Sequence, residues 1–143
     1  MKKFYITSFI LVLIDRVLKI LVDNLNEDIV VIKDFFYITS VKNDGAAFSI
    51  LSGNRLLFIV IGLLFIVFLI RYVSKYNVNK ISYMMLFSGI IGNIIDRVFY
   101  GYVIDYLGFI IFKHNMPIFN FADILIVVGA FLFIVGDKNE NNS

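Results

Sequence analysis

A few polar residues stand out in an otherwise apolar chain because their spacing puts them together. Asp15 and Lys19 are four apart, Asn93, Asp96 and Arg97 fall at i, i+3 and i+4, and Asn120 and Asp123 are three apart. On a helix each set shares one face. Asp105 follows the second set closely. An ionisable group at mid-depth in a membrane costs at least ~2.5 kcal/mol, so each needs an account. Asp15 and Lys19 can satisfy each other as an i, i+4 pair. Asp96 and Arg97 are adjacent, do not face each other, and must find partners elsewhere. For Asp105 and Asp123 too few cations remain, so the two acids have to share a site and a proton. In such a pair the ionised carboxylate takes a proton from water, while the protonated one polarises a carbonyl and later protonates the leaving amine. That is aspartic-protease chemistry.

Other chemistries have less support. A Ser-His-Asp triad would rest on His114, the single histidine, and a Ser–Lys dyad on Lys19 without a supporting serine context. A Mg²⁺ site of Asp15, Asp96, Asp105 and Asp123 would suit a hard cation, but the reading adopted has no metal and no cofactor. The absence of Cys removes thiolate and disulfide chemistry. A non-enzymatic alternative, a small ion- or proton-coupled membrane subunit, needs polar groups through the full membrane depth. Here they gather at one end.

The elements that must position these groups follow from composition. The 143 residues are 60% hydrophobic and 17% charged, displaced towards lipid from the roughly 45–50% and 25% of soluble domains. The net charge of +2 is no nucleic-acid signature. A bilayer core needs roughly 20 helical residues, and four windows qualify: Phe4–Val22, Leu56–Val73, Ile81–Tyr100 and Ile118–Gly136. Met1-Lys2-Lys3 before Phe4–Ile14 resembles a signal peptide, but no small-x-small site follows and the run leads into Asp15, Arg16 and Lys19, so the segment is read as retained. Lys2, Lys3, Arg71, Lys75, Lys80 and Lys138 flank one side of these spans. The positive-inside rule then places both termini in the cytoplasm and the segments 23–55 and 101–117 outside. The polar cluster lies in the outer third of the bundle, Asp96 roughly 6 Å below its outer end. Ile29–Ile32 and Phe35–Val41 read as short strands, and Asn43-Asp44-Gly45 as a turn. The aromatic loop 101–116 suits an interface, Pro117 is expected to open the fourth helix, and Ser88, Gly89 and Gly92 to let helices approach closely. The whole chain reads as one integral-membrane domain.

With these residues in place, the sequence resembles the bacterial lipoprotein signal peptidases (signal peptidase II). The resemblance is carried by Asp15-x-x-x-Lys19, Asn43-Asp44-Gly45-Ala46-Ala47-Phe48, Gly92-Asn93-Ile94-Ile95-Asp96-Arg97, Gly101-x-Val103-x-Asp105 and Phe119-Asn120-x-Ala122-Asp123, in the family's order along nearly the whole chain. It implies a membrane all-α fold, a four-transmembrane-helix bundle with a small outer β-cradle and a short outer interfacial helix, in the bacterial cytoplasmic membrane. It implies removal of the signal peptide from prolipoproteins just before a diacylglyceryl-modified Cys. The expected partners are those substrates and membrane lipid, with no nucleic acid, and the chain is expected to work as a monomer. Asp105 and Asp123 match the catalytic dyad, Asn43, Asn93, Arg97 and Asn120 the substrate cleft, and Asp15, Lys19, Gly45 and Asp96 supporting positions. Three departures stand out: Arg16 where Gln is common, Ser88-Gly89 for paired glycines, and Gly108 where a second acid is frequent.

Overall fold

The computed structural model describes residues 2–45, 51–75 and 80–140, with side chains for 4–45, 51–75 and 80–136. Ala46, Ala47 and Phe48 of the second motif therefore lie outside the described residues, as do the side chains of Lys2, Lys3 and Lys138. Helices α1 (Lys2–Asp23), α2 (Arg55–Lys75), α3 (Lys80–Phe99) and α4 (Phe121–Glu140) alternate with strands β1 (Ile29–Ile32), β2 (Phe36–Asn43), β3 (Val103–Ile111) and β4 (His114–Asn115) in the order α1-β1-β2-α2-α3-β3-β4-α4. Each helix covers one of the apolar windows to within a few residues. By length and composition α2 and α3 suffice to cross a membrane, while the apolar part of α4, Phe121–Gly136, is shorter. Asp15, Arg16 and Lys19 interrupt the apolar run of α1.

Helix α3 is central and packs against the other three. Its apolar contacts are Tyr83, Leu86 and Ile90 against Ile66 and Leu69 of α2, which are the buried residues of that helix. The rest of α2 presents Leu, Ile, Val and Phe outward, as a helix facing lipid does. On its other flank α3 buries Ser82, Ser88, Asn93 and Asp96, which need hydrogen-bonding partners there. Close approach to α1 and α4 depends on small residues. Gly89 lies against the Ala122 carbonyl, and a Cβ at Gly92 would stand 2.7 Å from Asp15 Oδ2.

The strands form one antiparallel sheet in the order β1-β2-β3-β4. The expected strands in 29–41 are present, but 101–117 is not a loop. Val103–Ile111 pairs with Phe36–Asn43, Asn43 opposite Val103 and Tyr37 opposite Gly108, with the register shifting between Ile38 and Val41, and then turns back into β4. The first four residues of β3 are all buried, so the run lacks the polar alternation that marks a half-exposed strand. Pro117 does not open α4 either. Residues 117–120 run extended beside β3, with Leu107 and Phe119 bridged, and the helix begins at Phe121. His114 lies in β4 rather than in a loop and is exposed. The short outer helix has no counterpart among the described residues.

Candidate active site

The site is built around the first turn of α4, whose backbone N–H groups have no partners within the helix. Side chains from three elements supply them. The Phe121 N–H donates to the Tyr106 hydroxyl of β3 at 3.2 Å. The Ala122 N–H donates to Asp15 Oδ1 of α1 at 3.0 Å. Asp123 donates its N–H to Asn120 Oδ1 at 3.0 Å, and the Asn120 N–H returns to Asp123 Oδ2 at 3.2 Å. This reciprocal arrangement is a capping box with Asn as N-cap and Asp three residues on. It puts a carboxylate in the first turn, where the helix dipole favours negative charge.

Asp105 reaches the same place from β3. Asn43 stands opposite Val103, so Asp105, two residues further, presents its side chain on the same sheet face. Asn43 Nδ2 donates to Asp105 Oδ2 at 2.8 Å, and Asn120 Nδ2 donates to Asp105 Oδ1 at 2.6 Å. Asn120 thereby bridges the two carboxylates. The free oxygen of Asp123, Oδ1, accepts from Asn93 Nδ2 at 2.8 Å. Burial pushes the Asp105 carboxyl up to about 6, against the hydrogen bonds from Asn43 and Asn120, and the Asp123 charge adds to the rise. Tyr106, also buried, has its phenol pushed up to about 12, so its hydroxyl stays protonated.

Behind the pair lies a second cluster. Lys19, with no exposed surface, has Nζ 2.9 Å from both Asp15 Oδ2 and Asp96 Oδ2 and donates to Asn93 Oδ1 at 3.1 Å. The last contact fixes the Asn93 amide so that its NH₂ faces Asp123. Arg16 Nη1 meets Asp96 Oδ1 at 2.6 Å, and its guanidinium lies 4.6 Å from the Tyr100 ring centre. Asp96 Oδ2 also accepts the Ile104 N–H at 3.3 Å, immediately before Asp105. Lys19 spends its donors on Asp15, Asp96 and Asn93, which is not the geometry of a Ser–Lys dyad. The four aspartates divide into two pairs with different partners, so the Mg²⁺ set does not assemble. Among the described residues no group of three His, Cys, Asp or Glu is disposed to hold a metal.

A cleft of about 700 Å³ opens in front of the carboxylates. Asn43, Gly45, Asn93, Arg97, Asp105 and Asp123 form its polar wall, and Phe109, Phe119 and Val127 belong to its apolar one. Arg97 is held over the cleft by bonds from its Nη2 to the Gly45 carbonyl (3.1 Å) and from its Nη1 to the Asn93 carbonyl (3.4 Å), with the Phe58 ring centre 4.9 Å from its guanidinium carbon. Gly45 is buried and gives its N–H to Asn43 Oδ1 at 3.0 Å, the Asx turn expected of Asn43-Asp44-Gly45.

All ten residues singled out in the sequence thus come together, though not all as expected. Asn120 is fully buried and is not part of the cleft wall, so its place is behind the carboxylates. Asp15 is not satisfied by Lys19 alone, because one of its oxygens caps α4. Two residues escaped the spacing argument. Tyr106 holds α4 through its hydroxyl, and its only signal was adjacency to Asp105. Arg16 appeared merely as a departure, yet it closes the charge balance at Asp96. At the third departure, Gly108, the Tyr37 ring occupies the space a Cβ would need, which leaves no room for an acid.

The similarity of this chain to known proteins agrees with that arrangement. The model of the Signal peptidase (SPase) II family matches residues 7–137. A lipoprotein signal peptidase of Halothermothrix orenii is 44% identical over 137 residues, 92% of each chain. One of Clostridium tetani is 41% identical over 132 residues, 87% of this chain and 85% of the relative. Two solved bacterial membrane enzymes, both determined by the in meso method, superpose closely. One gives a TM-score of 0.88 at 31% identity, covering 99% of this chain and 90% of that one. The other gives 0.82 at 32%, covering 94% and 92%. The chain is a membrane protein and a peptidase that removes signal peptides from lipoproteins, a member of the signal peptidase II family.

Proposed function

We propose that Asp105 and Asp123 are the catalytic pair of an aspartic endopeptidase, cutting the prolipoprotein before its diacylglyceryl-modified Cys. The observation that carries this reading is the contrast in their partners. Both carboxylates line one cleft, are bridged by Asn120, and are held by amides rather than by ion pairs. Four acids (Asp15, Asp96, Asp105, Asp123) face three cations (Arg16, Lys19, Arg97), so one proton shared by the pair brings this largely desolvated cluster to neutrality. Asp105, raised to about 6, is the better holder of that proton. Asp123, in the first turn of α4 with an N–H donor on each oxygen, is assigned the part of the base. Asp123 then takes a proton from water as the water oxygen bonds to the scissile carbonyl carbon. Asp105 gives its proton to the carbonyl oxygen. On collapse the C–N bond breaks, the proton on Asp123 passes to the leaving amine, and Asp105 regains its own. Arg97, Asn43 and Asn93 hold the peptide in the cleft, while Asn120, Asp15, Lys19, Gly45 and Asp96 position these groups.

All four helices cross the bacterial cytoplasmic membrane in this reading, with both termini inside, the sheet outside, and the enzyme working as a monomer. The acyl chains of the substrate Cys, at about 0.8 kcal/mol per CH₂ buried in lipid, hold the scissile bond at the height of the two aspartates. A gel-shift assay on lipidated and unlipidated precursor in the same liposomes tests this. The unmodified precursor is expected to be cut far more slowly, and equal rates would rule the anchoring out.

A further inference from the structure

The β3–β4 hairpin ends in a turn of unfavourable composition. Ile111 pairs with His114, leaving Phe112 and Lys113 as a two-residue loop with φ of 50° and 64°. Turns with both central residues at positive φ favour Asn-Gly or Asp-Gly. A phenylalanine and a lysine are strained there, and folding gains nothing visible from them, because the Phe112 side chain is 92% exposed. Strain kept for a ring left this exposed by the described residues points to a contact outside the chain.

Two further observations say what that contact is. Ile111 and Met116, flanking the turn, line the same groove as Ile126 and Val127 of α4. Val127 lies six residues into the helix, about 9 Å along its axis, and is 68% exposed. The hairpin end is thus continuous with the outward-facing surface of a helix that runs into the bilayer. From Tyr106 to Ala122 there is no acidic residue, and Lys113 and His114 stand beside the exposed ring. An aromatic ring next to a cation and remote from carboxylates fits the phosphate and upper acyl region of a lipid leaflet.

We propose that the Phe112–Lys113 turn is inserted in the outer leaflet, Phe112 among the upper acyl carbons and Lys113 at the phosphates. This keeps the apolar side of the cleft against lipid, so that a substrate carrying acyl chains enters from the bilayer rather than from water. The proposal rests on the reading that α4 crosses the bilayer with its first turn outward. The chain has no tryptophan, so a single one reports its own surroundings. Phe112→Trp is compared with Phe131→Trp, a position 64% exposed on α4, each in phosphatidylcholine vesicles brominated near the headgroup or near the chain ends. The tryptophan at 112 is expected to emit to the blue of tryptophan in water and to lose most of its intensity to shallow bromines. The one at 131 should be quenched by deep bromines. Water-like emission at 112 with quenching at 131 overturns the insertion alone, and so does quenching at 112 that appears only after a lipidated precursor is added. No quenching at 131 overturns the crossing of α4 and the insertion with it.

Discussion

Two pairs of aspartates, all buried except the half-buried Asp123, lie side by side in this protein and are held in opposite ways. Asp15 and Asp96 are neutralised by cations: Lys19 serves both, and Arg16 takes the remaining oxygen of Asp96. Asp105 and Asp123 are solvated by neutral donors, the amides of Asn43, Asn93 and Asn120 and one backbone N–H. An ion pair ties a carboxylate to a charged side chain on another helix or another turn, which suits a brace between helices. An amide orients a carboxylate without deciding its protonation, which suits a group that must gain and lose a proton. The two regions meet at Asn93, which receives Lys19 on its oxygen and gives its NH₂ to Asp123. Under the proposed assignment, the type of partner is what distinguishes the pair that reacts from the pair that braces the helices.

The largest stability effect comes from breaking the cationic region. Lys19→Met fills similar volume but leaves Asp15 and Asp96 without their shared charge. Removing one partner of a buried ion pair costs about 3–5 kcal/mol, so the variant should melt far below wild type in a thermal scan in detergent. An unchanged melting temperature would mean that Lys19 does not brace α1 against α3.

The second effect sharpens the other side. With Asp105 at about 6 and its ordinary value at 3.8, the proton that the proposed mechanism places on the pair is present below about 6 and lost as pH rises through it. The cleavage rate should fall above that apparent value, which belongs to the pair as a whole. Asn43→Ala removes a donor that favours the ionised form, so the alkaline limb should move to higher pH. The stability sign is parallel. A raised carboxyl favours the folded state most below 3.8, and that contribution fades as pH rises through about 6. A pH–rate profile of both proteins checks the direction.

The smallest effect is at the rim of the brace. Arg16 is partly exposed, and Arg16→Gln keeps a donor for Asp96 while losing the charge. About 1 kcal/mol of stability should go, with cleavage little altered, as measured by denaturation midpoint and rate together.

Much of this was legible because it is local. The helix windows are long apolar runs, and Asn93 with Arg97, or Asn120 with Asp123, share a face by spacing alone. What spacing cannot show is a partner far along the chain. Asp15 caps a helix whose first turn lies 107 residues away, and Arg16 finds Asp96 80 residues on. Strand β3 hid for a related reason. Its buried run, Val103–Tyr106, carries Asp105 and a tyrosine in place of alternating polar residues, and the pairing with β2 that makes it a strand is long-range. Pro117 misled because a proline fits an extended segment beside a strand as well as it fits the first turn of a helix.

The central claim is tested most directly by making one change, Asp→Asn, at all four positions and reading cleavage of a lipidated precursor together with melting temperature. Asp105→Asn and Asp123→Asn should each lose about a thousandfold or more in cleavage while melting near wild type, since Asn keeps the shape but cannot exchange the proton. Asp15→Asn and Asp96→Asn should melt well below wild type yet still cleave at temperatures where they remain folded. Cleavage surviving in Asp105→Asn or Asp123→Asn, or vanishing in well-folded Asp15→Asn, would contradict the assignment.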